Sequence, residues 1–149
     1  MNISLFGLGY VGCVNVACLS KLGHKLVAVD IVQDKIDKLN SKIPTVSEPK
    51  LGSILSKYKS NYRATSSVEE AVQNSDVAML CINTPNDTNG NLDISILEKC
   101  VKDISTYLSN FLSRGNNDVL LSDRVNSFIN NKWIDTTPMI VDKILSNAL

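Results

Sequence analysis

Asn2-Ile-Ser-Leu-Phe6 runs directly into Gly7-Leu-Gly9-Tyr-Val-Gly12. The first five residues alternate apolar and polar and stop at glycine, the pattern of a buried strand. The next six form G-x-G-x-x-G, and a helical pattern follows them. The motif carries meaning when it leaves a strand and opens a helix, as it does here. Gly7 then allows a tight turn, Gly9 lets the backbone approach a diphosphate, and Gly12 lets the helix pack against the strand. Free N–H groups and the positive end of the helix dipole attract the anion. The alternative is a glycine-rich turn with no ligand.

Beyond the motif, Val11, Val14, Cys18 and Leu22 fall on one expected helix face, and Gly23 stops it. His24 reads as part of that C-terminal cap. A second strand, Lys25–Asp30, ends 18 residues past Gly12. An acidic residue about 20 residues on hydrogen-bonds the adenosine ribose in such a unit. A carboxylate there repels a 2′-phosphate, so Asp30 points to NAD over NADP. Its other reading is an N-cap for the following helix. Lys35 either reaches the ribose or faces solvent.

That helix is expected to carry Val32, Ile36 and Leu39 inward. Pro44 and Pro49 bracket a loop, and 51–58 reads as a short helix. A strand near 62–65 follows. Ser66-Ser67-Val-Glu69-Glu70 offers a capping box in two registers. Asp76–Ile82 is nearly continuous in apolar residues, the pattern of a strand covered on both faces. Asn83-Thr84-Pro85 lies where strand carboxyl ends line a ligand crevice, so Thr84 reads either as a cofactor donor or as a capped turn. Asp93 caps a long helix whose Ile94, Leu97, Val101, Ile104, Leu108 and Phe111 make one apolar stripe. Alternating strands and helices of this kind predict an α/β fold, a doubly wound Rossmann-like parallel sheet with flanking helices.

The tail differs. Asp118–Leu121 is a candidate fifth strand, Val125, Phe128, Ile129 and Trp133 share a helical face, and Thr137-Pro138 opens a last helix. The expected organisation is a dinucleotide-binding domain over residues 1–112. A divergent, mainly helical tail over 113–149 would pack on it.

Composition excludes several classes. Fifteen basic residues balance fifteen acidic ones, so no electrostatic footprint for nucleic acid or an anionic membrane is expected. The longest apolar run, near 77–82, falls far short of the roughly 20 residues of a membrane span. The N-terminus lacks a basic region and a small-residue cleavage site, so the expected compartment is cytoplasmic. Cysteines 13, 18, 81 and 100 form no C-x-x-C, and with a single histidine no metal site is expected. All four cysteines are read as buried and reduced, with Cys18 facing the sheet.

Taken in order, these pieces resemble one family. Phe6-Gly-Leu-Gly-Tyr-Val-Gly12, Gly23-His24, Val29-Asp30 with Lys35-Ile36, Pro44 through Glu48-Pro49, Ser75-Asp76-Val77, Thr84-Pro85 and Gly90-Asn-Leu-Asp93 are similar to the N-terminal domain of the UDP-glucose/GDP-mannose 6-dehydrogenases. The likeness covers about the first 110 residues, and its glycine phrase leans toward the GDP-mannose branch. It implies an NAD-dependent oxidoreductase of nucleotide-sugar metabolism and polysaccharide biosynthesis, oxidising a C6 alcohol to a carboxylate through a cysteine thioester. It implies that Tyr10 and Val11 make backbone contacts to the cofactor within the cofactor-binding turn of Gly7, Gly9 and Gly12, with Asp30 and Lys35 on the ribose and Thr84 on the nicotinamide side.

The departures shape the expected function. The family's Glu-Pro-Gly-Leu reads Glu48-Pro49-Lys50-Leu51, and lysine takes positive φ at a cost. Val119-Leu-Leu-Ser-Asp-Arg-Val125 keeps one serine of the family's next motif but not its threonine, proline and glycine. The domain that carries the family's catalytic cysteine has no counterpart, so the fold is expected to be incomplete relative to the family. No cysteine here has a local base, so no catalytic residue is expected. The first reading is therefore a truncated, NAD-binding portion that is not catalytic alone and meets sugar nucleotide only when the missing domain is supplied. The others are a stand-alone NAD-binding regulatory or partner module, in a homo-oligomer or with a full-length homologue, and a small enzyme whose substrate domain comes in trans.

Overall fold

The computed structural model describes residues 1–86 and 88–114, with side chains described through Leu108. The chain divides into two compact units, Met1–Leu108 and Ser109–Leu149. The expected fifth strand and the tail helices lie outside the described residues.

Four strands form one parallel sheet: β1 (Asn2–Phe6), β2 (Lys25–Val29), β3 (Tyr62–Thr65) and β4 (Val77–Leu80), in the order β3-β2-β1-β4. Leu5 of β1 sits opposite Ala28 of β2 and Met79 of β4. Helices α1 (Tyr10–Lys21), α2 (Gln33–Asn40), α3 (Leu51–Lys57), α4 (Val68–Gln73) and α5 (Ser95–Arg114) fill the connections. The order reverses between β1 and β4, so the carboxyl ends of those strands open the crevice where doubly wound sheets hold ligands.

Strand alternation divides the core into two layers. Ile3, Leu5, Leu26 and Ala28 pack with Val16, Ala17, Ile36, Leu39, Leu51 and Leu55 from α1, α2 and α3. Phe6, Val27 and Val29 face Ala71 of α4, with Cys100 and Ile104 of α5 against them. Leu5, Leu39 and Leu55 are fully buried, and truncating such a leucine to alanine costs about 2–5 kcal/mol. β4 is half-buried along its length rather than covered on both faces, because it is the edge of the described sheet.

α1 corrects the expected helix face. Gly12, Cys13, Val16, Ala17 and Ser20 are buried, whereas Val11 and Leu22 are exposed and Val14 is half-buried. Cys18 is exposed rather than facing the sheet. The helix is apolar on most sides, so periodicity alone does not set its rotation. Gly12 does, because it must lie against the turn. Val32 is likewise exposed, while Ile36 and Leu39 of α2 are buried.

The helix ends obey local chemistry. α1 closes with a Schellman motif: Gly23, at φ +90, donates to Ser20 O, and the His24 N–H donates to Leu19 O. The cap uses the His24 backbone. α4 takes the Ser67 register of the capping box, Ser67 Oγ accepting from the Glu70 N–H at 3.1 Å. Asp93 Oδ1 accepts from the N–H of Ser95, the first residue of α5, at 3.0 Å, and the Ser95 side chain first, then this backbone bond, hold the Asp93 carboxyl below the usual range.

Candidate functional site: the glycine turn and its surroundings

Gly7 leaves β1 at φ +100, and its N–H donates to Val29 O at 2.8 Å. A Cβ at Gly7 would stand 2.6 Å from the Cys81 carbonyl oxygen, and one at Gly12 only 1.8 Å from the Gly7 carbonyl oxygen. These two glycines are therefore required by the protein itself. Gly9 is different. It has ordinary negative φ, and a Cβ there would meet nothing within 4 Å. The open space lies at the start of α1, whose first intrahelical bond runs from Cys13 N–H to Gly9 O. The N–H groups of Tyr10, Val11 and Gly12 precede that bond and remain available. No acidic side chain occupies the first turn of α1. An anion therefore meets donors, a positive dipole end and no steric obstacle.

Asp30 follows β2 and is almost fully buried. Its Oδ2 accepts from the Leu8 N–H at 2.6 Å and pairs with Lys35 Nζ at 3.3 Å, and its Oδ1 accepts from the Val32 N–H at 2.9 Å. The N-cap of α2 is Val32, with no side-chain cap, so Asp30 does not serve as that helix's N-cap. A carboxylate offers about four acceptor positions. Three are used, and one on Oδ1 stays free for a ribose hydroxyl. The turn, Asp30 and Lys35 are thus one connected unit. Thr84 is half-buried in the segment after β4, at the same edge of the sheet. No hydrogen bond joins it to the turn or Asp30 among the described residues. Pro85 O accepts from the Asp93 N–H at 2.7 Å and closes the loop beyond it.

One neighbour was not legible in the sequence. The loop after α2 lies against the glycine turn. Thr45 Oγ1 donates to Leu8 O at 2.9 Å, and the Tyr10 hydroxyl donates to Glu48 Oε1. These partners are 37 and 38 residues apart and leave no periodic trace. Lys50 caps α3 at φ +68, so lysine does hold the left-handed conformation expected to disfavour it.

The described thiols differ. Cys13 is fully buried in the core. Burial pushes the Cys81 thiol up, partly offset by a hydrogen bond with Asn15. Burial, then the Asp103 charge, pushes Cys100 up to about 11. Nucleophilic thiols show the opposite shift. Among the described residues no group of three or more His, Cys, Asp and Glu is arranged to hold a metal, and no helix is long and apolar enough to cross a membrane.

Comparison with known proteins matches this geometry. The model of the UDP-glucose/GDP-mannose dehydrogenase family, NAD binding domain, fits residues 1–113. GDP-mannose 6-dehydrogenase of Azotobacter vinelandii is 41% identical over 110 residues, covering 72% of this chain and 25% of the relative. A UDP-glucose 6-dehydrogenase of Haloferax volcanii is 32% identical over 110 residues, covering 73% and 25%. The crystal structure of a GDP-mannose dehydrogenase ternary complex from Pseudomonas aeruginosa superposes with a TM-score of 0.69 at 38% identity, covering 70% of this chain and 24% of that one. A UDP-glucose dehydrogenase from Pyrobaculum islandicum gives 0.68 at 29% identity, covering 71% and 25%. The chain spans about a quarter of the length of these relatives. Glycine turn, buried acid, strand order and family match agree: the chain belongs to the UDP-glucose/GDP-mannose dehydrogenase family, carries its NAD-binding domain, and has NAD as its cofactor.

Proposed function

We propose that this chain supplies the NAD half-site of a sugar-nucleotide 6-dehydrogenase acting in the cytoplasm. The single observation that carries the reading is the contrast at the turn. Gly7 and Gly12 are demanded by protein contacts, while Gly9 faces open space beside unused helix N–H groups. A Cβ-free position that the fold itself does not need fits a close backbone approach to a diphosphate.

In this reading the N–H groups of Gly9, Tyr10, Val11 and Gly12 bind the diphosphate, with Gly7 and Gly12 shaping the turn. Asp30 accepts a ribose hydroxyl at its free Oδ1 position. Lys35 neutralises part of its charge, and Thr84 lies toward the nicotinamide. NAD, when bound, supplies the hydride acceptor for oxidation of a C6 alcohol. The chain's own residues bind and orient that acceptor. No described cysteine is assigned the thioester step. Sugar nucleotide would be met together with the remaining part of such an enzyme, in a homo-oligomer or with a full-length homologue. The 1–112 segment is read as the binding domain and 113–149 as a divergent tail.

Thermal denaturation of the 149-residue chain with NAD and with NADP tests this. Ligand at about 100 times its dissociation constant stabilises by about 2.7 kcal/mol. NAD should raise the melting temperature clearly and NADP much less. A cooperative melt that neither cofactor moves overturns the reading.

A further inference from the structure

Two residues flank the open position at Gly9, and one loop grips both. Leu8 precedes it, and its carbonyl oxygen accepts from Thr45 Oγ1 at 2.9 Å. Tyr10 follows it, and its hydroxyl donates to Glu48. The loop is anchored in turn, because Val46 packs against the larger core cluster, and the Leu51 N–H donates to Glu48 O at 3.3 Å.

The first contact has a directional consequence. The Leu8 carbonyl and the Gly9 N–H belong to one peptide plane, and in a trans peptide they point to opposite edges of it. A donor fixed on the Leu8 oxygen therefore fixes the direction of the Gly9 N–H. On the other side of Leu8, Asp30 Oδ2 holds the Leu8 N–H at 2.6 Å. Both peptide planes that meet at Leu8 are thus pinned by side chains from distant parts of the chain. The Gly9 N–H itself has no partner among the described residues. Glycine is the residue with the most conformational freedom to lose, so an unheld Gly9 would spend binding energy on ordering itself.

We propose that Thr45, through the Leu8 carbonyl, and Glu48, through the Tyr10 hydroxyl, are positioning residues that present the Gly9 N–H to the dinucleotide diphosphate. Neither needs to touch NAD. The inference rests on the diphosphate reading of the turn given above.

Calorimetric titration of the 149-residue chain with NAD tests it, using Thr45→Val and Thr45→Ser. The valine variant is nearly isosteric but has no donor. It should bind NAD about fivefold more weakly, the equivalent of one net hydrogen bond. The serine variant keeps the hydroxyl and should recover most of the affinity, which a role in packing alone would not produce. Valine binding as tightly as threonine overturns the proposal, and so does serine binding as weakly as valine. Should Thr45→Val lose its cooperative melt, the pair Glu48→Ala and Glu48→Gln at the half-buried Glu48 decides. Alanine should weaken binding, and glutamine, which keeps an acceptor, should restore it. Alanine without effect overturns the proposal. Failure of the unaltered chain to bind NAD overturns the diphosphate reading instead, and this proposal with it.

Discussion

The glycine turn and the loop after α2 meet at one edge of the sheet and solve similar backbone problems by opposite means. In the turn, Gly7 adopts φ +100 with no side chain to accommodate. In the loop, Lys42 and Lys50 sit at φ +65 and +68, where a Cβ is strained. Gly12 is fixed from within the turn, since the Gly7 carbonyl fills the space where its Cβ would stand. The loop is fixed from without, by Thr45, Glu48 and Val46. A glycine with no steric alternative, as at Gly7 and Gly12, tolerates no substitution. A backbone held by several moderate contacts tolerates an unfavourable residue, at a cost spread over those contacts.

The largest expected effect tests the internal constraint. Gly12→Ala places a methyl 1.8 Å from the Gly7 carbonyl oxygen, with Leu5 Cδ2 at 3.2 Å behind it. The carbonyl is main chain, and Leu5 is fully buried, so the methyl has nowhere to go. The substitution should cost more than about 3 kcal/mol, seen in urea denaturation as loss of most of the cooperative transition. Gly9→Ala sharpens the contrast within the same motif. Its surroundings are open, so stability should change by less than about 1 kcal/mol. NAD binding should weaken at least about tenfold, or 1.4 kcal/mol, because a methyl enters the space of approach. If both alanines were equally destabilising, the division of the turn into protein-facing and ligand-facing glycines would be wrong.

Asp30 comes next, and it ties the turn to the start of α2. Spacing proposes it as a ribose ligand, and the structure gives it a task within the protein as well. Its carboxylate accepts from Leu8 and Val32 N–H groups, so Asp30→Ala leaves the buried Leu8 donor and the part-buried Val32 donor without this partner. A loss of about 1–3 kcal/mol is expected, beside weaker NAD binding and poorer discrimination against NADP. Denaturation without cofactor separates the two. Unchanged stability would mean that the turn does not depend on this carboxylate.

That double role shows where sequence reading stops. β1, α3 and β3 announce themselves by short-range pattern and punctuation, and they fall where spacing puts them. α1 does not, because Val11, Val14, Cys18 and Leu22 compete with Cys13, Val16 and Ala17 for the inward face. A contact between Gly12 and Gly7 decides between them. The glycine motif and Asp30 are readable because their chemistry repeats at fixed spacing. Thr45 and Glu48 are ordinary polar loop residues, and only the folded chain shows what they hold.

Lys50 offers a gain rather than a loss. Left-handed backbone costs a residue with a Cβ about 1–2 kcal/mol, and Lys50 makes no hydrogen bond or ion pair through its side chain among the described residues. Lys50→Gly relieves the strain but adds freedom to the unfolded chain, which takes back about 0.4–1 kcal/mol. A net stabilisation of about 0.5–1 kcal/mol is expected from denaturant midpoints at unchanged slope. A loss of stability would mean that the lysine side chain, and not only the loop's outer contacts, supports this conformation.

The smallest effect separates turn from loop by pH. Nothing in the glycine motif titrates except the Tyr10 phenol, which reaches out of it to the loop. That phenol is held above its ordinary 10.0, first by donating to Glu48, then by slight desolvation and the carboxylate's charge. A group whose pKa is raised by folding contributes its full stabilisation below its unfolded value and loses it as pH rises through the folded one. The Tyr10–Glu48 tie should therefore hold through neutral pH and release only in alkali, when phenolate and carboxylate repel. Tyrosinate absorbance gives the check. Subtracting the titration of Tyr10→Phe from that of the unaltered chain should leave one phenol ionising above 10.0, and Glu48→Ala should bring it back toward that value. A difference curve centred at or below 10.0 in the unaltered chain would show that the bond does not form in solution. The loop would then grip the turn through Thr45 alone, and the contrast between inner and outer constraint would narrow to a single hydroxyl.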